Sequence, residues 1–82
     1  MVNWNEPIKA VLADKSYPAR LIREGDPELN EGERCFEVEI KGPHKIMPDF
    51  YCKDTSVWWF NLDGTYCISN SHCEFVHIEN DI

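Results

Sequence analysis

The stretch Val57-Trp58-Trp59-Phe60-Asn61-Leu62-Asp63-Gly64-Thr65-Tyr66 constrains this chain more than any other. Two tryptophans, a phenylalanine, a leucine and a tyrosine fall within ten residues. Aromatic and β-branched residues fit the pleated, half-buried surface of a strand. Asp63-Gly64 lies between apolar runs, a hairpin-turn signal. Alternation sends Trp58, Phe60 and Leu62 to one face and Val57 and Trp59 to the other. One set belongs to the core, and we assign it to Trp58, Phe60 and Leu62. Trp59 is left between two roles, a covered residue or an exposed interface anchor.

A chain of 82 residues is expected to form one domain with a thin stability margin. Arg34 to Lys41 carries the cleanest pattern: Phe36, Val38 and Ile40 fall on one face, and Cys35, Glu37, Glu39 and Lys41 on the other. That is a strand with one buried side. Upstream, residues 8–13 and 17–23 read as a hairpin with Asp14-Lys15-Ser16 as its turn, and Pro18 limits its strand to a start or an edge position. Trp4 in the leading arm is expected to fold back onto the core.

Residues 24–33, rich in acids, glycine and proline, read as a long solvated loop. Residues 42–54 lack a period, and Pro48 excludes a continuous helix. They form either a second excursion anchored by Phe50-Tyr51 or an irregular lead into the aromatic strand. That strand runs over 55–62 and turns at Asp63-Gly64 into 65–68. Residues 69–71 read as a turn, 74–78 as the last strand and 79–82 as a tail. Short strands separated by turns predict an all-β fold, a small SH3-like five-stranded barrel or rolled antiparallel sheet with long loops.

The order of motifs resembles a widespread group of small phage and prophage proteins. The resemblance rests on Pro7-Ile8, Asp14 at a turn, Pro18-Ala19-Arg20-Leu21-Ile22, an alternating strand, Phe60-Asn61-Leu62-Asp63-Gly64-Thr65-Tyr66 and Glu74-Phe75-Val76. The chain departs from the group's pattern where a glycine usually follows Asp14, and residues 24–33 and 42–54 look like insertions. The resemblance implies an SH3-like barrel and an accessory phage protein that binds and inhibits a host factor. The group supplies no catalytic residue to carry over.

The formal net charge of −7 argues against direct nucleic-acid binding, which needs clustered Lys and Arg. The acids concentrate at Glu24, Asp26, Glu28, Glu31, Glu33, Glu37 and Glu39, interrupted by Arg34. Such a surface either solvates a loop or steers a basic partner, including a protein whose own ligand is nucleic acid. These acids together with Trp59 form the candidate partner-binding set. There is no apolar run of bilayer length and no basic-then-apolar leader, so a cytosolic location is expected, the host's if the gene is a phage's.

Catalysis has no motif: no G-x-S-x-G, H-E-x-x-H, P-loop or Rossmann fingerprint occurs, and we expect neither enzymatic activity nor a cofactor. The alternative class is a zinc-binding or thiol-based module using Cys35, Cys52, Cys67 and Cys73. No C-x-x-C pair supports zinc, so any site would be assembled from distant strands.

Overall fold

The computed structural model describes residues 1–42, 44–47, 50–52, 54–67 and 76–81, the backbone alone at 44–47 and 50–52. Its strands are β1 (Ile8–Leu12), β2 (Lys15–Glu24), β3 (Cys35–Ile40), β4 (His44–Met47), β5 (Phe50–Cys52), β6 (Ser56–Asn61) and β7 (Val76–Asn80). Five of them form an antiparallel sheet in the order β6-β3-β2-β1-β7. β4 and β5 pair with each other as a separate two-stranded sheet. The all-β, rolled-sheet expectation therefore holds.

The alternation read in the sequence decides which side faces in. Ile8, Ala10 and Leu12 of β1, Val38 and Ile40 of β3, Trp58 and Phe60 of β6, and Val76 and Ile78 of β7 make one buried cluster. The aromatic strand delivers Trp58 and Phe60 to this core, and Tyr66 packs on both at ring-centroid distances of 5.1 and 6.0 Å. Leu62 is only half-buried, because the strand ends at Asn61 and Leu62 belongs to the turn.

That turn closes the roll. Gly64 N–H donates to Asn61 O at 2.9 Å, and Asn61 N–H donates to Thr65 O at 2.8 Å. With Gly64 at φ 91°, Leu62-Asp63-Gly64 is a three-residue hairpin loop that ends in a left-handed glycine, longer by one residue than the Asp-Gly pair alone. Asp63 caps it, accepting from Thr65 N–H at 3.0 Å and Thr65 Oγ1–H at 2.6 Å. These bonds hold the Asp63 carboxyl below the usual carboxylate range. Residues beyond the loop then tie the two edge strands together. Cys67 N–H donates to Trp59 O in β6 at 3.0 Å, and Ile78 N–H in β7 donates to Gly64 O at 2.8 Å. Where a strand was expected over 65–68, the described residues Thr65 and Tyr66 make isolated bridges to His77 and Phe60. Ile68, the expected turn at 69–71, and Glu74-Phe75 of the expected last strand lie outside the described residues. β7 continues to Asn80, into the segment 79–82 that the sequence predicts to be a tail.

Other boundaries differ for local reasons. The first hairpin turns at Ala13-Asp14, since Leu12 pairs with Lys15. Pro18 lies inside ten-residue β2, the middle strand of the sheet, rather than at a start or an edge. It is tolerated because β2 changes partners there: residues 15–18 pair with β1, and 19–24 pair with β3. Pro18 O accepts from Lys41 N–H at 3.0 Å, just past the end of β3, so the missing proline N–H costs only the terminal rung. Gly42 and Asp54 approach closely, so that a Cβ on Gly42 would fall on the Asp54 carbonyl; the side chains of Phe50 and Tyr51, the expected anchor of 42–54, lie outside the described residues.

Trp4 folds back as expected. Its indole stacks on Phe36 with centroids 4.2 Å apart, and its Nε1–H donates to Leu62 O at 2.8 Å. Asn80 secures the arm, accepting from Asn3 N–H at 2.9 Å and donating to Asn3 O at 2.8 Å.

Two substitutions with opposite signs test this backbone. At Gly64 a Cβ would meet Ile78 O and Val2 at 2.6 Å, so Gly64→Ala is expected to destabilise by about 1–3 kcal/mol. Ala13 sits at φ 57° in a two-residue turn, so Ala13→Gly is expected to stabilise by about 1 kcal/mol. Urea denaturation of both variants checks the pair of signs.

Candidate partner-binding face

The outer side of β2, β3 and β6 carries Glu37, Glu39 and Trp59 of the predicted residues; Glu24 lies opposite Phe36 on the other side, and Asp26, Glu28, Glu31 and Glu33 lie between β2 and β3. One row across the strands reads Arg20, Glu39, Val57; the next reads Arg23, Glu37, Trp59. The second row depends on a β-bulge between Leu21 and Arg23. The extra residue, Ile22, shifts the alternation by one. Without it Arg23 would point into the roll, whereas here it lies opposite Glu37.

These rows neutralise much of the acidity expected of the strand. Arg20 pairs with Glu39 at 3.2 Å and Arg23 with Glu37 at 3.3 Å. Arg34, which looked like an interruption of the acidic run, holds Glu24 through two bonds of 2.9 Å. Its guanidinium keeps the Glu24 carboxyl below the usual carboxylate range. Asp26 is occupied locally: Oδ1 accepts from Glu28 N–H at 3.0 Å and caps a short 3-10 helix, Pro27–Asn30. Glu28, Glu31 and Glu33 are exposed, and among the described residues none of the three forms an ion pair. The acidic cluster read from the sequence is thus a strand face of ion pairs beside a short acidic loop.

Trp59 is half-buried. Its ring lies where a Cβ on Gly25 would be, and the Arg23 guanidinium sits 5.1 Å from the ring centroid. The indole is one wall of an apolar cavity of about 140 Å³, completed by Leu29, Asn30, Cys35 and Cys67. Asn61 fixes the walls relative to one another. Its Oδ1 accepts from Asn30 Nδ2–H at 3.0 Å and from Cys67 Sγ–H at 3.5 Å, while its Nδ2–H donates to Thr65 Oγ1 at 3.0 Å. The 3-10 helix, β6 and the closing segment therefore meet at one side chain.

Two of these residues were not legible as site residues in advance. Leu29 is 77 % exposed although it is aliphatic. It was hidden inside a segment read as a solvated loop. Its signal was Asp26-Pro27, a cap followed by proline in a first helical turn, which gives the loop a fixed shape. Cys35 is 2 % exposed although it lies on the outer side of β3. Alternation assigns it to solvent, but the 3-10 helix and Trp59 cover it, and its Sγ–H donates to Asp26 O at 3.8 Å.

Cys35 and Cys67 are both free thiols. Burial, with Cys35 nearby, pushes the Cys67 thiol up from its ordinary value. Among the described residues no three His, Cys, Asp or Glu side chains converge as a metal site would require. Cys73 and the side chain of Cys52, the other members of the suggested zinc or thiol set, lie outside the described residues. No described helix is long and apolar enough to cross a membrane.

No protein-family model, curated protein or solved structure matches this chain.

The raised Cys67 thiol has a kinetic consequence. Only the thiolate attacks an alkylating reagent, so at pH 7.5 Cys67 is expected to react with iodoacetamide more slowly than an unstructured peptide cysteine. Mass spectrometry of timed alkylation, with Cys67 resolved by peptide mapping, checks this.

Proposed function

We propose that this chain is a small acidic accessory protein of the phage type, without catalytic activity, that binds a host protein in the cytosol and inhibits it by covering a surface. One observation carries the binding reading: an exposed leucine and a half-buried tryptophan share the wall of an apolar cavity beside acids that form no ion pair among the described residues. Aromatic anchors in partly desolvated pockets with a charged rim are the usual form of interface hot spots. The phage assignment rests on the motif resemblance. The partner's surface is basic, and a nucleic-acid-binding host protein fits that chemistry. Glu28, Glu31 and Glu33 steer the encounter, and Trp59 and Leu29 supply desolvated contact. Glu37 and Glu39 belong to the same face, but they act mainly by ordering Arg23 and Arg20 around it, whereas Glu24 pairs with Arg34 on the Phe36 side of the sheet.

The thiol-based alternative draws on one observation, that two free cysteines wall the same cavity. Thiol titration and elemental analysis of purified protein decide it: four free thiols with no bound metal remove this alternative.

Affinity capture from host lysate, followed by kinetics with the captured partner, tests the main reading. Reversing Glu28, Glu31 and Glu33 to lysine together is expected to cut the association rate by about tenfold or more at low salt, whereas Glu6→Lys leaves it nearly unchanged. Trp59→Ala is expected to act on the dissociation rate instead. Association indifferent to salt and to the triple reversal would falsify the steering role.

A further inference from the structure

The cavity beside Trp59 is specific enough to say what kind of group enters it. We propose that it is the receptor for one aliphatic side chain, leucine or its near equivalents, presented by a partner segment with Lys or Arg on either side. This inference rests on the protein-binding reading above and adds the chemistry of the recognised element.

Size comes first. A volume of about 140 Å³ is close to the roughly 150 Å³ cavity that accommodates a benzene molecule, so it takes one leucine-sized group and not a tryptophan. The lining comes second. Trp59, Leu29 and the two thiols offer apolar surface, and the amide nitrogen of Asn30, the polar side chain of the lining, is turned to Asn61 Oδ1. An incoming charged group would find no opposite charge in this lining and would lose its hydration, so the occupant is apolar.

The rim comes third, and it sets the flanking charges. Leu29 and Asn30 lie between Glu28 and Glu31, and Cys35 follows Glu33-Arg34. Arg23, which lies over Trp59, is committed to Glu37, and Arg34 is paired with Glu24 on the other side of the sheet. The acids of the rim thus lack described cationic partners, while the arginine beside Trp59 is already matched. A flanking lysine or arginine gains from this arrangement, and a flanking acid is repelled. Finally, the site is held before binding. Asp26 caps the 3-10 helix, Asn61 ties it to β6, and Gly25 abuts Trp59, so little ordering remains to be done.

The test uses two capped synthetic peptides, one with a leucine flanked on each side by two lysines, the other with alanine in its place. Each is titrated into the nitrogen-15-labelled full chain while backbone amide and indole resonances are followed. The leucine peptide is expected to bind at least about tenfold more tightly than its alanine twin. Its largest shifts should fall at Leu29, Asn30, Cys67 and the Trp59 indole. Leu29→Ala, at an exposed position that leaves the core intact, should reduce the leucine peptide to the alanine twin's affinity; Cys67→Met, which fills the cavity from the side, should do the same.

Equal binding by both peptides, or no binding by either, overturns the inference, as does a leucine preference whose shifts lie elsewhere. Concentration-dependent shifts at these residues without peptide would make a second copy of the chain the occupant and overturn it too. Salt separates this inference from the underlying reading. If both peptides bind equally but weaken together from about 50 to about 300 mM salt, acidic steering stands and the cavity's role falls. If the leucine preference persists and salt has no effect, the cavity stands and steering falls.

Discussion

The whole structure depends on a few backbone hydrogen bonds around Gly64. A five-stranded sheet has two edges, and β6 and β7 would each expose a row of unpaired donors and acceptors. The segment 64–67 joins them: it bonds to Asn61 and Trp59 on one side and to Ile78 on the other. Only glycine adopts the required φ while lying so close to the Ile78 carbonyl. Closure also brings Tyr66 over Trp58 and Phe60, which makes the tie part of the core.

The same closure builds the candidate binding face. Cys67 reaches the outer side of β6 because the segment runs antiparallel beside Trp59 and Asn61. Asn61, the last residue of β6, then gathers Asn30, Cys67 and Thr65. On the opposite flank, the bulge at Ile22 turns Arg23 outward onto Glu37 and Trp59. A defect in one ladder and a turn at the end of another thus converge on a single indole. Closing the sheet and forming the face are one structural event.

Electrostatics on this face follow from pairing more than from net charge. The ion pairs of β2 and β3 lie on a solvent-facing surface, where such pairs contribute little to stability. Their larger effect is to remove two acids and two arginines from the field of this face. What remains near the cavity is the short acidic loop at Glu28, Glu31 and Glu33. A partner approaching this side meets negative charge at the loop and a balanced sheet beside it, an asymmetry that would orient it over Trp59 and Leu29.

Local chemistry in the sequence determined the strands that alternate, the turn at Asp63-Gly64, the inward set of Phe36, Val38, Ile40, Trp58 and Phe60, and the return of Trp4 to the core. Period-two burial and turn residues act over a few positions, so they can be read without knowing what lies across the sheet. Tertiary structure decided the rest. Pro18 is accommodated within the middle strand because β2 exchanges partners there, which no local pattern encodes. Glu37 and Glu39 read as part of an acidic patch until register set arginines against them, and Glu24 until the sheet turned it to the other side beside Arg34. Cys35 read as exposed until the 3-10 helix covered it, and Leu29 read as loop until its neighbours made it a wall. Each of these depends on contacts between segments distant in the chain, and those are fixed only when the sheet rolls and its edges are joined.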